Sequence, residues 1–101
     1  MSAARKVVHV VIRGRVQGVG FRMWTAHTAE RFDLEGWVRN LRDGAVEAVF
    51  AGSPDKVDAM IESCRRGPIG AHVDHCDVRE GGSELLGDRG PGERFSVLET
   101  G

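Results

Sequence analysis

Early in the chain, the β-branched run Val7-Val-His-Val-Val-Ile12 is followed almost at once by the glycine-rich run Gly14-Arg-Val-Gln-Gly-Val-Gly20. In the first run Val8, Val10 and Ile12 alternate with the other positions, which predicts a half-buried strand. The glycines of the second run permit backbone conformations that other residues resist and let a ligand approach the chain closely. The sequence therefore predicts a first strand that ends in a loop suited to binding.

A helix is predicted directly after this loop, over residues 21–32. Its apolar or small residues recur at helical spacing, whereas its charged residues fall on other sides of the helix. The residues of the periodic set are Phe21, Thr25, Thr28, Ala29 and Phe32. The glycine-rich loop thus opens straight into a helix.

The middle of the chain predicts a hairpin. Gly36-Trp-Val-Arg-Asn-Leu-Arg42 and Ala45-Val-Glu-Ala-Val-Phe-Ala51 have the composition of strands, and Asp43-Gly44 between them suits a tight turn. A second helix is predicted from Pro54, with Ser53 as its N-cap, to the breaker pair Gly67-Pro68.

Two further strands are predicted near the end of the chain, at 72–80 and 94–98. The glycine-rich segment 81–92 that separates them predicts a mobile loop. With 101 residues, of which 41% are hydrophobic, the chain has enough apolar side chains for the core of one domain, and a single domain over 1–101 is expected.

The order β-α-β-β-α-β predicts an α+β fold, the ferredoxin-like split βαβ sandwich, in which two helices cover one face of an antiparallel sheet. The opposite face of the sheet is expected to be partly open. In this topology the loop after strand one and the end of strand two can lie at the same edge. We therefore expect residues 20–22 to lie near Asn40.

The segment 16–22 has the properties of an anion site. Backbone N–H groups of a glycine-rich turn, together with the first turn of a helix, favour an anion, and Arg22 adds a planar charged fork for two phosphate oxygens. The residues expected to bind substrate are Val16, Gln17, Gly18, Val19, Gly20 and Phe21. No dinucleotide fingerprint or Walker loop is completed, which disfavours nucleotides. On this segment alone, a purely structural loop with a solvated Arg22 stays an equal alternative.

Two segments together, Gly14-Arg-Val-Gln-Gly-Val-Gly-Phe-Arg22 and Gly36-Trp-Val-Arg-Asn-Leu-Arg-Asp-Gly44, closely resemble the two signature segments of the acylphosphatase family. The resemblance extends over nearly the whole chain. It implies a hydrolase that cleaves the carboxyl–phosphate bond of small acyl phosphates to carboxylate and inorganic phosphate, without a metal or other cofactor. By the motif, Arg22 would bind the phosphate and Asn40 would position the attacking water.

This chemistry is compatible with so few groups. A carboxylate leaves well without being protonated, so the reaction needs a positioned water and a neutralised phosphoryl charge more than it needs a general acid. Glu35 stands where the family often has a small or hydroxylated residue. Its negative charge, if near the site, would weaken substrate binding.

Other candidate sites have simpler explanations. Cys64 and Cys76 are expected to be buried free thiols. Alternation along a strand would place His72 and Cys76 on one face and His75 on the other, so no metal site is predicted. Trp24 and Trp37 are expected to fill the edge of the core, and Thr25 to support the helix.

Partners follow from charge and surface. A net charge of -1 gives no global attraction to nucleic acid or to acidic membranes, and no segment is long enough to span a bilayer. A cytoplasmic monomer acting on a small molecule is therefore expected. The predicted open-face residues of strands one and three include no aromatic residue and no basic cluster, which disfavours RNA binding; they are His9, Val11, Arg13, Ala45, Glu47 and Val49. Action on carbamoyl phosphate and an anion-sensing domain without turnover stay open as alternatives.

Overall fold

The computed structural model describes residues 4–101. All the predicted strands and helices are present, with ends that differ from the prediction by a few residues. They are β1 (Lys6–Arg15), α1 (Phe21–Arg31), β2 (Glu35–Asn40), β3 (Val46–Gly52), α2 (Pro54–Arg66), β4 (His72–Glu80), a short 3₁₀ helix (Ser83–Asp88) and β5 (Phe95–Val97).

One five-stranded sheet organises these elements, in the order β4-β1-β3-β2-β5. Strands β4, β1, β3 and β2 each pair antiparallel with their neighbours in that order. In the central strand β3, Ala48 lies opposite Val10 of β1 on one side and opposite Val38 of β2 on the other. The predicted ferredoxin-like α+β fold is confirmed. One detail differs, because β5 pairs parallel to β2. The chain reaches β5 by crossing from the opposite edge of the sheet, and such a crossover permits a parallel pair where a hairpin does not.

The main core lies between the sheet and the two helices. Val8, Val10 and Ile12 of β1 are fully buried, as their alternation predicted. Helix α2 contributes Val57 and Met60 from its apolar stripe, and both are also fully buried. This core packs α1 and α2 against the sheet. The position of α1 in turn determines where the loop before it lies.

A second apolar cluster covers part of the opposite face of the sheet. Trp37, Val49 and Leu86 are buried there, and the Trp37 indole Nε1 donates a hydrogen bond of 2.8 Å to the Leu85 carbonyl oxygen. Leu86 belongs to the 3₁₀ helix, so the segment 81–92 contains regular structure where only a loop was predicted. An aromatic residue therefore does lie on this face, but the 3₁₀ helix covers it.

Strand β4 contains an irregularity that changes which residues share a face. The register with β1 shifts between Arg13 and Gly14, so His75 pairs with Arg13 while Val73 pairs with Gly14. After the shift Cys76 packs against the core, whereas His72 is exposed. The expectation that these two share a face was wrong, because strict alternation fails across a bulge.

Gly14 is needed at this irregularity. Its φ is 132°, and a Cβ atom built there would overlap the backbone carbonyl oxygen of His72. The two cysteines are free thiols; Cys64 is buried as expected, whereas Cys76 is only partly buried, and burial raises the pKa of the Cys64 thiol. Within residues 4–101, no group of three or more His, Cys, Asp or Glu side chains is placed to hold a metal ion. None of the helices in the described part of the chain is long and apolar enough to cross a membrane.

Candidate active site

A small pocket forms where the loop after β1, the first turn of α1 and the end of β2 meet. Its volume is about 150 Å³. Strands β1 and β2 both run antiparallel to β3, so they point in the same direction and their C-terminal ends lie at the same end of the sheet. The residues that line the pocket are Val16, Gln17, Gly18, Gly20, Phe21, Arg22, Met23 and Asn40.

The backbone of the loop is shaped for a helix entry that leaves N–H groups free. Gly18 and Gly20 have φ values of 75° and 77°, in the left-handed region that favours glycine. Gly20 is the N-cap of α1, and the first turn of α1 carries no acidic residue. The N–H groups of that turn have no partner inside the helix, so an anion in the pocket would find donors and no competing carboxylate.

Gln17 joins the loop to the hairpin that carries Asn40. Its side-chain Nε2 donates to the carbonyl oxygens of Leu41, at 2.7 Å, and Ala45, at 2.8 Å. These residues lie on either side of the turn between β2 and β3. The Gln17 side chain is therefore occupied in holding the two halves of the pocket together.

Arg22 lies on the first turn of α1 and is partly exposed. One guanidinium nitrogen, Nη1, donates to the carbonyl oxygen of Leu98 at 3.3 Å. Among the ion pairs within residues 4–101, none involves Arg22. The remaining N–H groups of the guanidinium are consequently available to an anion.

Asn40 is the last residue of β2, and its main chain is held on both sides. It pairs with Val46 of β3, and its carbonyl oxygen accepts from the Gly101 N–H at 2.9 Å. Because side chains alternate along a strand, Asn40 shares the helix-facing side of the sheet with Val38. No hydrogen bond within residues 4–101 engages its side-chain amide, which leaves both amide atoms free for a ligand or water.

The structure brings together all but one of the residues predicted for the site. Val19 does not line the pocket, because its side chain packs against the main core. Val16 and Phe21 line it, but their side chains are buried, so the ligand-facing groups they offer are on the backbone.

Two neighbours of Arg22 were missed by the sequence analysis. Met23 lines the pocket, and its side chain is exposed and lies outside the core. Its position beside Arg22 and outside the apolar stripe of α1 was the available signal. Leu98, which holds Arg22 through its carbonyl, gave no signal, since the two residues are 76 positions apart.

Glu35 does not bring a charge into the pocket. It is the first residue of β2, five positions before Asn40, a separation of roughly 16 Å along an extended strand. Its carboxylate forms ion pairs with Arg5, at 3.2 Å, and Arg89, at 2.8 Å. The hydrogen bond from Arg5 is the largest influence on the pKa of Glu35 and, with help from Arg89, holds it below its ordinary value. Glu35 is therefore not placed to weaken substrate binding in this pocket, contrary to expectation.

A larger pocket, of about 330 Å³, lies elsewhere, between the end of α1 and β5. Three carboxylates line it, those of Glu30, Asp33 and Glu93, and its one cation, Arg94, is already paired with Asp33 at 2.9 Å. An anion would be repelled there. The smaller pocket, with an unpaired arginine and free N–H groups, is the better candidate for anion chemistry.

Comparisons with known proteins identify the family to which the chain is similar. The family model described as Acylphosphatase matches residues 8–87, a range that contains both motif segments. The chain is 58% identical over 91 residues to a curated acylphosphatase from Rhodopseudomonas palustris, covering 90% of this chain and 92% of that protein. The solved structure of an acylphosphatase from Coxiella burnetii is 33% identical, with a TM-score of 0.82 over 93% of each chain. The structure of HypF from T. kodakarensis is 31% identical with a TM-score of 0.74, covering 95% of this chain and 12% of that one.

Proposed function

The chain belongs to the acylphosphatase family and is an acyl phosphate hydrolase, and we propose that the pocket of Arg22 and Asn40 is where it cleaves the carboxyl–phosphate bond. The observation that carries this proposal is that an unpaired guanidinium, a free carboxamide and the N-terminus of α1 converge on one small cavity. The products are a carboxylate and inorganic phosphate.

The phosphoryl group is held by the loop and by Arg22. N–H groups of residues 16–18, 20 and 21 and two guanidinium N–H groups bind its oxygens, each such charged hydrogen bond contributing about 1.5–3 kcal/mol. The dipole of α1 adds about 0.3–1 kcal/mol, so direct hydrogen bonds dominate. Leu98 supports this role, because its carbonyl oxygen accepts from Arg22 and limits where the guanidinium can lie.

Asn40 positions the attacking water. Its carboxamide oxygen accepts a hydrogen bond from the water and its NH₂ donates one to a phosphoryl oxygen, which places the water in line with the bond that breaks. The residues lining the pocket include no Asp, Glu or His that could act as a base. We therefore assign the proton of the attacking water to a phosphoryl oxygen of the substrate, while the P–O bond breaks and its electron pair leaves with the carboxylate.

The test is benzoyl phosphate hydrolysis in EDTA by the wild type, Arg22→Ala, Arg22→Lys and Asn40→Ala. We expect kcat/KM to fall by about 10²–10³ or more in both alanine variants. Arg22→Lys should stay defective, since an ammonium cannot replace the two-pronged fork. Inorganic phosphate should still inhibit Asn40→Ala, which loses a single donor to the phosphate, and should inhibit Arg22→Ala far more weakly, because that variant loses the charged fork.

Arg31→Ala is the matched control, because Arg31 is an exposed arginine at the other end of α1 and does not line the pocket. It should retain full activity. If the Arg22 and Asn40 variants, shown by circular dichroism to be folded, also kept full activity, the pocket would not be the catalytic site. A folded wild type that bound phosphate without hydrolysing any acyl phosphate would favour the anion-sensing alternative.

Carbamoyl phosphate is a second candidate substrate. It carries the same carboxyl–phosphate linkage as other acyl phosphates, so the mechanism above applies to it unchanged. Because the linkage is shared, carbamoyl phosphate belongs in the substrate panel beside acetyl and benzoyl phosphate. A kcat/KM for carbamoyl phosphate well above those for acetyl and benzoyl phosphate would make it the preferred substrate.

We also propose that the protein acts as a monomer in the cytoplasm. The proposed mechanism is compatible with a monomer, because Arg22, Asn40 and the loop that precedes α1 already meet within a single chain. Light scattering coupled to size-exclusion chromatography would test the monomeric state, and a stable dimer would contradict it. Cell fractionation would test the location.

A further inference from the structure

Met23 is an apolar side chain that the core does not use. It is 54% exposed. Among residues 4–101, the other large hydrophobic side chains that are exposed are Ile69 and Val97. The core-facing side of α1 is occupied by Phe21, Thr25, Thr28 and Ala29. A single exposed apolar side chain is ordinary on a protein surface, so the exposure of Met23 alone assigns it no role.

What distinguishes Met23 is its position. It directly follows Arg22 on the first turn of α1 and lines the same pocket as Arg22 and Asn40. Side chains of an α-helix tilt toward its N-terminus, so Met23 covers surface at the helix start, where the pocket opens. A flexible thioether chain adapts its shape to differently shaped apolar partners.

The geometry of phosphoryl transfer indicates what would contact it. The attacking water and the leaving oxygen lie on opposite sides of phosphorus, so the acyl group points away from the water that Asn40 holds. With the loop amides and Arg22 holding the phosphoryl oxygens, the acyl group has to leave the pocket past a lining side chain that holds neither water nor phosphate. Met23 is the apolar lining side chain that is also exposed.

We propose that Met23 is a specificity-determining residue that contacts the acyl group and favours aromatic or branched aliphatic acyl phosphates over acetyl and carbamoyl phosphate. This inference rests on the proposed function of the pocket. Methylene-sized differences in an enclosed apolar pocket change specificity by about 10–200-fold. Because Met23 is half-exposed, we expect a smaller effect than in an enclosed pocket, a preference of about five- to tenfold.

The experiment measures kcat and KM for benzoyl, acetyl and carbamoyl phosphate, together with inhibition by inorganic phosphate. The variants are Met23→Ala, Met23→Leu and, as a matched control, Ile69→Ala, which removes another exposed apolar side chain that does not line the pocket. Met23→Ala should raise KM for benzoyl phosphate about five- to tenfold. It should change KM for the two small substrates, and inhibition by phosphate, less than about twofold. Met23→Leu should keep most of the preference, and Ile69→Ala all of it.

Failure of this inference is distinguishable from failure of the proposed function. Equal losses on all three substrates in Met23→Ala, or an equal change of preference in Ile69→Ala, would overturn the role of Met23 while leaving the catalytic pocket intact. Absence of hydrolysis of all three substrates by the wild type would instead overturn the function on which the inference rests.

Discussion

Gln17 shows how a single side chain can serve the pocket without contacting the substrate. It bridges the glycine-rich loop before α1 and the β2–β3 turn through two short hydrogen bonds to the carbonyl oxygens of Leu41 and Ala45. Those carbonyls also accept from backbone N–H groups of the turn, so Gln17 is not their sole partner. The Gln17 side chain therefore helps to fix the position of the loop relative to Asn40.

We expect Gln17→Met, which keeps the volume but removes the donor, to lower the free energy of unfolding by about 1–2 kcal/mol. The same change should lower kcat/KM by about 10–100-fold, since small displacements of positioned groups are costly in catalysis. Gln17→Glu should be worse on both counts above pH 5, because a carboxylate would face two carbonyl oxygens. Urea unfolding and benzoyl phosphate kinetics measure both effects. Full activity in Gln17→Met would contradict this positioning role.

At the scale of elements, the 3₁₀ helix Ser83–Asp88 is a cover for the second face of the sheet. Leu86 is 7% exposed and joins Trp37, Val49 and Ala51 in the smaller apolar cluster. None of these residues lines the candidate active site. The segment is therefore expected to contribute to stability and to leave catalysis unaffected.

Leu86→Ala should lower the free energy of unfolding by about 2–3 kcal/mol, the cost of a buried leucine in a cluster that can partly collapse. The rate of benzoyl phosphate hydrolysis at 25 °C should change by less than about twofold, because catalysis does not use this face. Glu84→Ala, at an exposed position of the same short helix, is the control and should change stability by less than about 0.5 kcal/mol. A Leu86→Ala variant as stable as the wild type would support the original expectation that the segment is a mobile loop.

At the scale of the whole molecule, a charge network ties the three central strands together. Glu47 of β3 pairs with His9 of β1 at 2.7 Å and with Arg39 of β2 at 2.6 Å. Burial by itself would raise the pKa of Glu47, but the hydrogen bonds from His9 and Arg39 outweigh burial and hold the pKa below its ordinary value. Arg39 also lies over the ring of Trp37, 5.1 Å from its centroid, which joins the network to the second apolar cluster.

This network should make the fold sensitive to acid. A carboxyl group whose pKa is lower in the folded state stabilises the fold above its ordinary pKa, 4.5 for this glutamate, and that stabilisation is lost as pH falls through the lower, folded value. We expect Glu47→Gln to cost about 1–2 kcal/mol at pH 7 and progressively less below about pH 4.5. Urea unfolding from pH 7 to pH 3 measures this, with the exposed Glu84→Gln as control. A cost independent of pH would mean that the charge of Glu47 is not what stabilises the sheet.

Much of the fold was predictable because its signals are local. Alternation in 7–12, the Asp43-Gly44 turn and the proline–glycine limits of the second helix depend on neighbours a few residues apart. Boundaries shifted where tertiary pairing extends a strand, as in β1, which continues to Arg15 along β4. The faces of β4 were mispredicted because its bulge requires a partner strand, and no periodicity in 72–76 reveals it.

The sequence by itself determined the order of the elements, the glycine-rich loop with Arg22 directly after it, and Asn40 as a residue to which the motif assigns a role. Each of these depends on residue type and short spacing. Only the tertiary structure decided that Gln17 ties loop to hairpin, that Leu98 holds Arg22, that Glu35 is paired far from the pocket, and that Met23 stands at its opening. These contacts join residues distant in the chain or depend on which way a side chain faces, and both are set by how the sheet and helices pack.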